Sequence, residues 1–309
     1  MKESLITIVG PTGTGKSEVA VKLAKKLDGE IVSADSMQIY KGMDIGTAKL
    51  SLKKREGVNH YLLDVVETSK NFSVAQYQKL ARAAISEITK KGKSPFLVGG
   101  TGLYIRSVID KFHFPIGTLN SSIRKELQER AQIEPESLYE ELKKIDPETA
   151  AKIPSTNLRR IIRALEVIKT TGKPFSKFQK EWEKRESIYN LKIYGLEVPR
   201  DILYSRLNER VDKMIKSGLL VEVKTLLVRK RLSLTARQAL GYKEIIAYLK
   251  GEVALEEAIE TIKKRTRNFA KRQLTWFKRD YRIKWVNVNE KSPDEIAEEI
   301  INDLKRRGD

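Results

Sequence analysis

An apolar run, Leu5-Ile-Thr-Ile-Val9, leads straight into Gly10-Pro-Thr12-Gly13-Thr14-Gly15-Lys16-Ser17, which opens a helical pattern through Val19, Ala20, Leu23 and Leu27. The stretch fits G-x-x-x-x-G-K-S/T without a mismatch, and its strand–loop–helix setting separates a phosphate loop from a chance match. Such a loop needs a strand to anchor it, glycines to bend it and a helix N-terminus to close it. Gly10, Thr12, Gly13, Thr14 and Gly15 are expected to turn backbone N–H groups toward phosphate oxygens, with the helix dipole adding to the attraction. Lys16 supplies a point charge, and the Ser17 hydroxyl is placed to ligate Mg²⁺. The loop predicts a bound polyphosphate. It leaves open whether that group is transferred, hydrolysed or expelled.

The chain has 309 residues, long enough for one large core with an insertion, or for two domains. Its longest apolar runs are too short to cross a bilayer, and no signal-peptide pattern precedes the first strand, so a cytoplasmic protein is expected. The absence of cysteine excludes disulfides and thiolate metal sites, and His60 and His113 are isolated, so no structural metal is expected. His60 reads as a structural residue. The net charge of +19 suggests a polyanionic partner. The charge is concentrated: residues 263–284 carry ten Lys/Arg against one acid, Asp280, with Phe269, Trp276, Phe277 and Tyr281 interleaved. Residues 116–188, by contrast, balance 15 basic against 12 acidic side chains. A nucleic-acid surface toward the C-terminal end, including Lys271 and Arg272, is the favoured reading over a solvated helix.

Strand and helix patterns alternate through the first part. Glu30-Ile-Val-Ser-Ala34 reads as a strand with Asp35 at its carboxyl end, residues 73–91 as a helix, and Pro95-Phe-Leu-Val98 as a strand ending in Gly99-Gly100-Thr101-Gly102. Repeated βα units imply a parallel sheet with right-handed crossovers, whose ligands sit outside the carboxyl ends of the strands. The predicted fold is therefore α/β, a P-loop NTPase-like parallel sheet flanked by helices, with the phosphate loop, Asp35 and Thr101 facing one cleft. From 116 to 188 the pattern turns purely helical, with segments 121–132, 136–145 and 155–171. This is expected to be an all-helical insertion domain within a core formed by 1–115 and 189–309. Tyr189–Val198 returns to strand, a long helix follows Pro199 through Gly218, and Lys284–Val288 offers a last strand.

Several residues carry candidate chemistry. A carboxylate such as Asp35, at a strand end beside polyphosphate, can take a proton from a nucleophile, hold Mg²⁺, or simply cap a turn. The strand where a hydrolytic motor keeps its metal-holding aspartate ends here in Gly-Gly-Thr101, which weakens an NTPase or kinase reading. Arg206 and Arg210 lie four apart on one helix face and are suited to stabilising a departing pyrophosphate, or to surface ion pairing. Arg159, Arg160 and Arg163 flank an apolar stripe at 158, 161, 162, 165 and 168, which leaves them free for nucleic-acid phosphates.

Taken together, the chain resembles the bacterial-type tRNA dimethylallyltransferases (tRNA isopentenyltransferases). The resemblance rests on Gly10–Ser17, Ser33–Tyr40, Gly42–Lys49, Val98–Tyr104, Asn157–Val167, Ala239–Glu244 and Lys271–Phe277, in family order over nearly the whole chain. It implies transfer of the five-carbon group of dimethylallyl diphosphate to N6 of the adenine 3′ to the tRNA anticodon, with release of diphosphate. By matching position, Asp35 resembles the base, Thr101 a hydrogen-bonding group at the substrate channel, and Gln38 a reader of the flipped adenine. Lys16, Arg206, and Ser17 with Mg²⁺ would hold the diphosphate. The resemblance also implies tRNA contacts at Asp35, Ser36, Met37, Gln38, Thr101, Arg124, Arg159, Arg160, Arg163, Gln238, Gly241, Tyr242 and Lys243, with the helical insertion gripping the anticodon stem-loop. A monomer is expected. Alternatives are a prenyltransferase for free AMP, ADP or ATP, a nucleotide-kinase-type phosphotransferase, and a non-catalytic RNA-binding module.

Overall fold

The computed structural model describes residues 2–112, 114, 121–229 and 232–306. His113 and the predicted boundary at 115/116 lie outside the described residues. The chain forms two compact units, Met1–Ile109 with Tyr189–Asp309, and Asp110–Ile188. The second unit thus starts a few residues before the predicted 116.

The first half of the larger unit runs β1 (Ser4–Val9), α1 (Lys16–Lys26), β2 (Gly29–Ser33), β3 (His60–Tyr61), α2 (Val74–Lys90), β4 (Ser94–Gly99) and α3 (Gly102–Ile109). The smaller unit holds α4 (Ser121–Ile133), α5 (Pro135–Ile145), α6 (Pro147–Lys152), α7 (Leu158–Thr171) and α8 (Phe175–Glu183). The larger unit resumes with β5 (Asn190–Glu197), α9 (Arg200–Lys216), α10 (Leu219–Arg229), α11 (Leu234–Arg237), α12 (Tyr242–Leu249), α13 (Leu255–Phe277), β6 (Ile283–Asn287) and α14 (Pro293–Arg306).

Six strands form one parallel sheet in the order β3-β2-β4-β1-β5-β6. The register sets Val9 beside both Gly99 and Gly195, and Ser33 beside Val98, so the chain leaves β1, β2 and β4 at one edge. The ladder continues past the strands: Ala34 N–H donates to Val98 O at 2.7 Å, and Thr101 N–H to Ala34 O at 3.1 Å. Gly99 is required there, because a Cβ would lie 2.2 Å from Ala34 O. β3 was not foreseen; two polar-tipped residues carry no alternation, and they enter the sheet only by pairing with Ile31 and Val32. His60 Nδ1 lies 2.9 Å from Val58 O, and burial pushes its pKa down.

One face of the sheet is covered by α1 and α14, where Val19, Leu23 and Ala24 meet Ile296, Ile300 and Leu304 over Ile8, Ile31, Phe96 and Leu196. α2 packs over β2 and β4 through Tyr77, Ala81, Ile85 and Ile88. Its start is fixed by a capping box in which Ser73 and Gln76 satisfy each other's backbone N–H. α9 packs on α13 through Leu203, Leu207 and Ala270. No helix among the described residues is long and apolar enough to cross a membrane.

The smaller unit has its own core of Leu127, Leu138, Leu142, Ile161 and Leu165. α7 starts at Leu158 and not at 155, because Asn157 caps it by accepting the Arg160 N–H at 3.3 Å. Asp146 caps α6 and accepts the Ser176 N–H at 2.8 Å, which ties down the start of α8.

Phe96 is fully buried beneath α1. Phe96→Ala should destabilise the larger unit by about 3–5 kcal/mol, read as a lower denaturant midpoint; an unchanged midpoint would contradict this packing.

Candidate active site

The phosphate loop is built by three glycines with positive φ, namely Gly10, Gly13 and Gly15, the last acting as the N-cap of α1. Within it, Lys16 Nζ donates to Pro11 O at 2.6 Å and Thr14 Oγ1 to the same oxygen at 3.0 Å. Burial pushes the Lys16 amine down to about 7, Arg210 acts in the same direction, and Asp35 and Glu18 oppose it. Burial likewise lowers the Arg210 pKa, against the attraction of Asp35 and Glu18. Arg210 also approaches Thr47 O through Nη2 at 3.5 Å. Lys16, Arg210 and Asp35 therefore share one electrostatic neighbourhood. Two crowded cations and one carboxylate make a site that a polyanion would relieve.

Ser17 lies half-buried in the first turn of α1, and no described residue bonds its hydroxyl. Arg206 is half-buried one turn before Arg210 on α9. One of the predicted loop amides has another partner. The Thr12 N–H does not face a phosphate position, because it donates to Gln273 Oε1 at 2.9 Å. The Thr14 hydroxyl is turned inward onto Pro11 O, which leaves only its amide.

Asp35 leaves the end of β2 half-buried. Its Oδ1 accepts the Met37 N–H at 2.8 Å and the Gln38 N–H at 3.3 Å, while no described residue bonds Oδ2. One oxygen thus caps the turn and the other stays available as a proton acceptor. Thr101 Oγ1 accepts the Ser36 N–H at 3.1 Å and approaches Ser36 Oγ at 3.4 Å, which ties the end of β4 to this turn. Gln38 is tied back: its Nε2 donates one hydrogen to Thr47 O at 3.1 Å, which fixes the amide while leaving its second N–H for a base edge. Behind Asp35, Tyr77 and Tyr104 stack with centroids 3.9 Å apart, and the Tyr77 hydroxyl donates to Ser33 O at 2.9 Å.

The loop after Gly42 is held from outside. Glu222 accepts the N–H groups of Asp44, Ile45 and Gly46 at 3.0, 2.7 and 3.2 Å, and the Tyr242 hydroxyl donates to the same carboxylate. Tyr242 is fully buried and Gly241 is buried, its N–H spent on Glu244. Both pack inside the fold, and neither presents surface here. Gln238 and Lys243 are exposed.

The ten-cation run, which begins on α13 and continues into β6, is partly neutralised. Lys263, Arg265, Lys278, Arg282 and Lys284 form ion pairs, and Arg267 donates to Asn208. Lys264, Lys271, Arg272 and Arg279 form no ion pair with a described residue. Lys271, Arg272 and Arg279 line a shallow cleft with Asn268, Thr275 and Trp276. In the smaller unit, Arg159 and Arg160 are exposed, but Arg163 pairs with the buried Glu166 at 2.8 Å, and Arg124 reaches the same oxygen at 3.5 Å. The expectation that all three arginines of α7 are free is corrected accordingly. Gln273 and Glu222 were not foreseen. A lone polar residue in a helix has no spacing signal, and the backbone groups they hold lie more than 160 residues away.

A family model described as IPP transferase matches residues 38–280. The chain belongs to the IPP transferase family. A tRNA dimethylallyltransferase of Carboxydothermus hydrogenoformans is 53% identical over 98% of each chain. The crystal structure of the full-length tRNA isopentenylpyrophosphate transferase of Bacillus halodurans superposes with a TM-score of 0.74 at 45% identity, covering 99% of this chain and 96% of that one. A eukaryotic dimethylallyltransferase acting on tRNA gives a TM-score of 0.84 at 31% identity, over 99% of this chain and 80% of that one. As an IPP transferase, the chain keeps its phosphate loop beside a β4 end without an acidic residue.

Burial that pushes the Lys16 amine down to about 7 favours its neutral form above that pH, whereas a bound anion would favour the protonated form. Sulfate, whose charge is constant across this range, should therefore bind more weakly as pH rises from about 7 to about 9. Titration calorimetry showing pH-independent affinity would contradict this.

Proposed function

We propose that this chain is a tRNA dimethylallyltransferase that alkylates N6 of the adenine 3′ to the anticodon with dimethylallyl diphosphate and releases diphosphate. The observation that carries this reading is Asp35 Oδ2, bonded by no described residue, at the carboxyl end of β2 in the electrostatic neighbourhood of Lys16 and Arg210. Family membership supports the same activity.

The mechanism follows from those positions. The loop amides of Gly13, Thr14 and Gly15, with Lys16, Arg206 and Arg210, hold the diphosphate and stabilise the charge it gains as the C1–O bond breaks. The adenine N6 lone pair forms the new bond to C1, and Asp35 Oδ2 accepts the N6 proton. Thr101 holds the Ser36 turn, and so Asp35, in place. Mg²⁺ keeps several waters and needs few protein ligands, so the unbonded Ser17 hydroxyl with diphosphate oxygens fits it. When bound, it adds charge stabilisation to the leaving group. An adenine stacked in an anticodon loop cannot reach this site unless extruded, which costs a few kcal/mol by general estimate, roughly offset by backbone contacts.

Lys271, Arg272 and Arg279, which form no ion pair with a described residue and line one cleft, favour an RNA substrate over a free nucleotide. Exposed Arg159, Arg160, Gln238 and Lys243 extend the RNA surface in this reading, and the smaller unit grips the anticodon stem-loop with Arg124 and Arg163 oriented by Glu166. The protein acts in the cytoplasm as a monomer.

Labelled dimethylallyl diphosphate offered with unmodified tRNA or with AMP tests the assignment: label is expected in tRNA, and label in AMP alone would move the chain to the free-nucleotide branch. Asp35→Asn should slow transfer by about 10²–10⁴-fold while leaving tRNA affinity nearly unchanged; equal losses of both would indicate a purely structural aspartate. Lys271→Glu with Arg272→Glu should weaken tRNA binding and reduce its salt slope by about one per lost phosphate contact. An unchanged slope would remove α13 from the RNA surface.

A further inference from the structure

α13 has two faces with different duties. Lys271, Arg272 and Trp276 point outward, while Gln273, flanked along the helix by Ala270 and Phe277, is buried. Gln273 spends both ends of its amide on the active site. Its Oε1 accepts the Thr12 N–H at 2.9 Å, and its Nε2 donates to Gly100 O at 2.9 Å. The helix therefore clips the phosphate loop to the turn after β4. Gly100 makes the approach possible, since a Cβ there would lie 2.3 Å from Nε2. The next residue is Thr101, which holds the Ser36 N–H and thereby the Asp35 turn.

We propose that Gln273 is a positioning residue for the transfer reaction, fixing the separation between the diphosphate-holding loop and the turn that carries Asp35. The inference rests on the activity proposed above. One amide satisfies a donor on one loop and an acceptor on the other, and only a side chain with both functions at this length does so. In an alkyl transfer, the leaving group is fixed by the phosphate loop and the proton acceptor by the β2 turn. The distance between them sets how well N6, C1 and the departing oxygen align. A misplacement of about 1 Å costs such a reaction up to roughly a hundredfold. The clip also explains why Thr12 contributes no amide to the phosphate side.

The test uses Gln273→Leu and Gln273→Glu in the full-length protein, with transfer to tRNA measured at saturating substrates well below the melting temperature. Both variants should lower kcat by about 10- to 100-fold with the KM values for tRNA and dimethylallyl diphosphate within about threefold. In Gln273→Glu the introduced carboxylate still accepts from Thr12 N–H but faces Gly100 O without a proton. Acidification from about pH 8 to about pH 6 should therefore raise its activity relative to wild type as the donor returns. Gln273→Leu should show no such recovery. A lowered melting temperature with unchanged kcat would overturn the proposal by reducing Gln273 to a packing role. A rise in the KM for dimethylallyl diphosphate alone would overturn it in favour of simple binding. Absence of transfer by the wild-type chain would instead overturn the activity assignment, and this inference with it.

Discussion

The parallel hydrogen bonding of β4 between β1 and β2 is the constraint on which the rest of the site depends. Because Val9 pairs with Gly99 and Ser33 with Val98, three chain exits emerge side by side. One exit becomes the phosphate loop, one carries Asp35 and one carries Thr101. A slip of one residue along any of these strands would invert its faces and send its exit residue away from the others. Gly99 protects that register by allowing Ala34 to come within backbone contact.

The electrostatics of the site are those of a receptor prepared for a polyanion. Lys16 and Arg210 repel each other and are both penalised by burial, while Asp35 and Glu18 offset only part of that cost. Donors and charges already fixed before reaction need little reorganisation when negative charge develops. The same arrangement leaves one Asp35 oxygen committed to the turn and the other open, so position and reactivity are divided between the two oxygens of a single carboxylate.

Around this centre, residues remote in sequence act as braces. Glu222 satisfies three backbone amides of the 44–46 loop, and Lys49 pairs with Asp44 and Asp64 at 2.6 Å each. Glu244 both caps α12 and pairs with Arg265. Such braces turn part of the basic segment on α13 into internal structure and leave a narrower outward stripe. Net charge along a sequence counts every lysine and arginine equally. Ion pairing in the fold does not.

The sequence by itself determined the phosphate loop, the alternating strands and helices of an α/β parallel sheet, the helical character of the middle segment and the order of family motifs. Those features are written in local spacing: glycines where φ must be positive, apolar residues at the period of a helix or a strand, capping residues at helix starts. Only the tertiary structure decided that Thr12 faces Gln273, that Gln38 is tied to Thr47, that Tyr242 is buried and that Arg163 answers to Glu166. Each of those outcomes depends on which side chain a fold brings within about 3 Å of a polar group, and local sequence spacing carries no record of that distance.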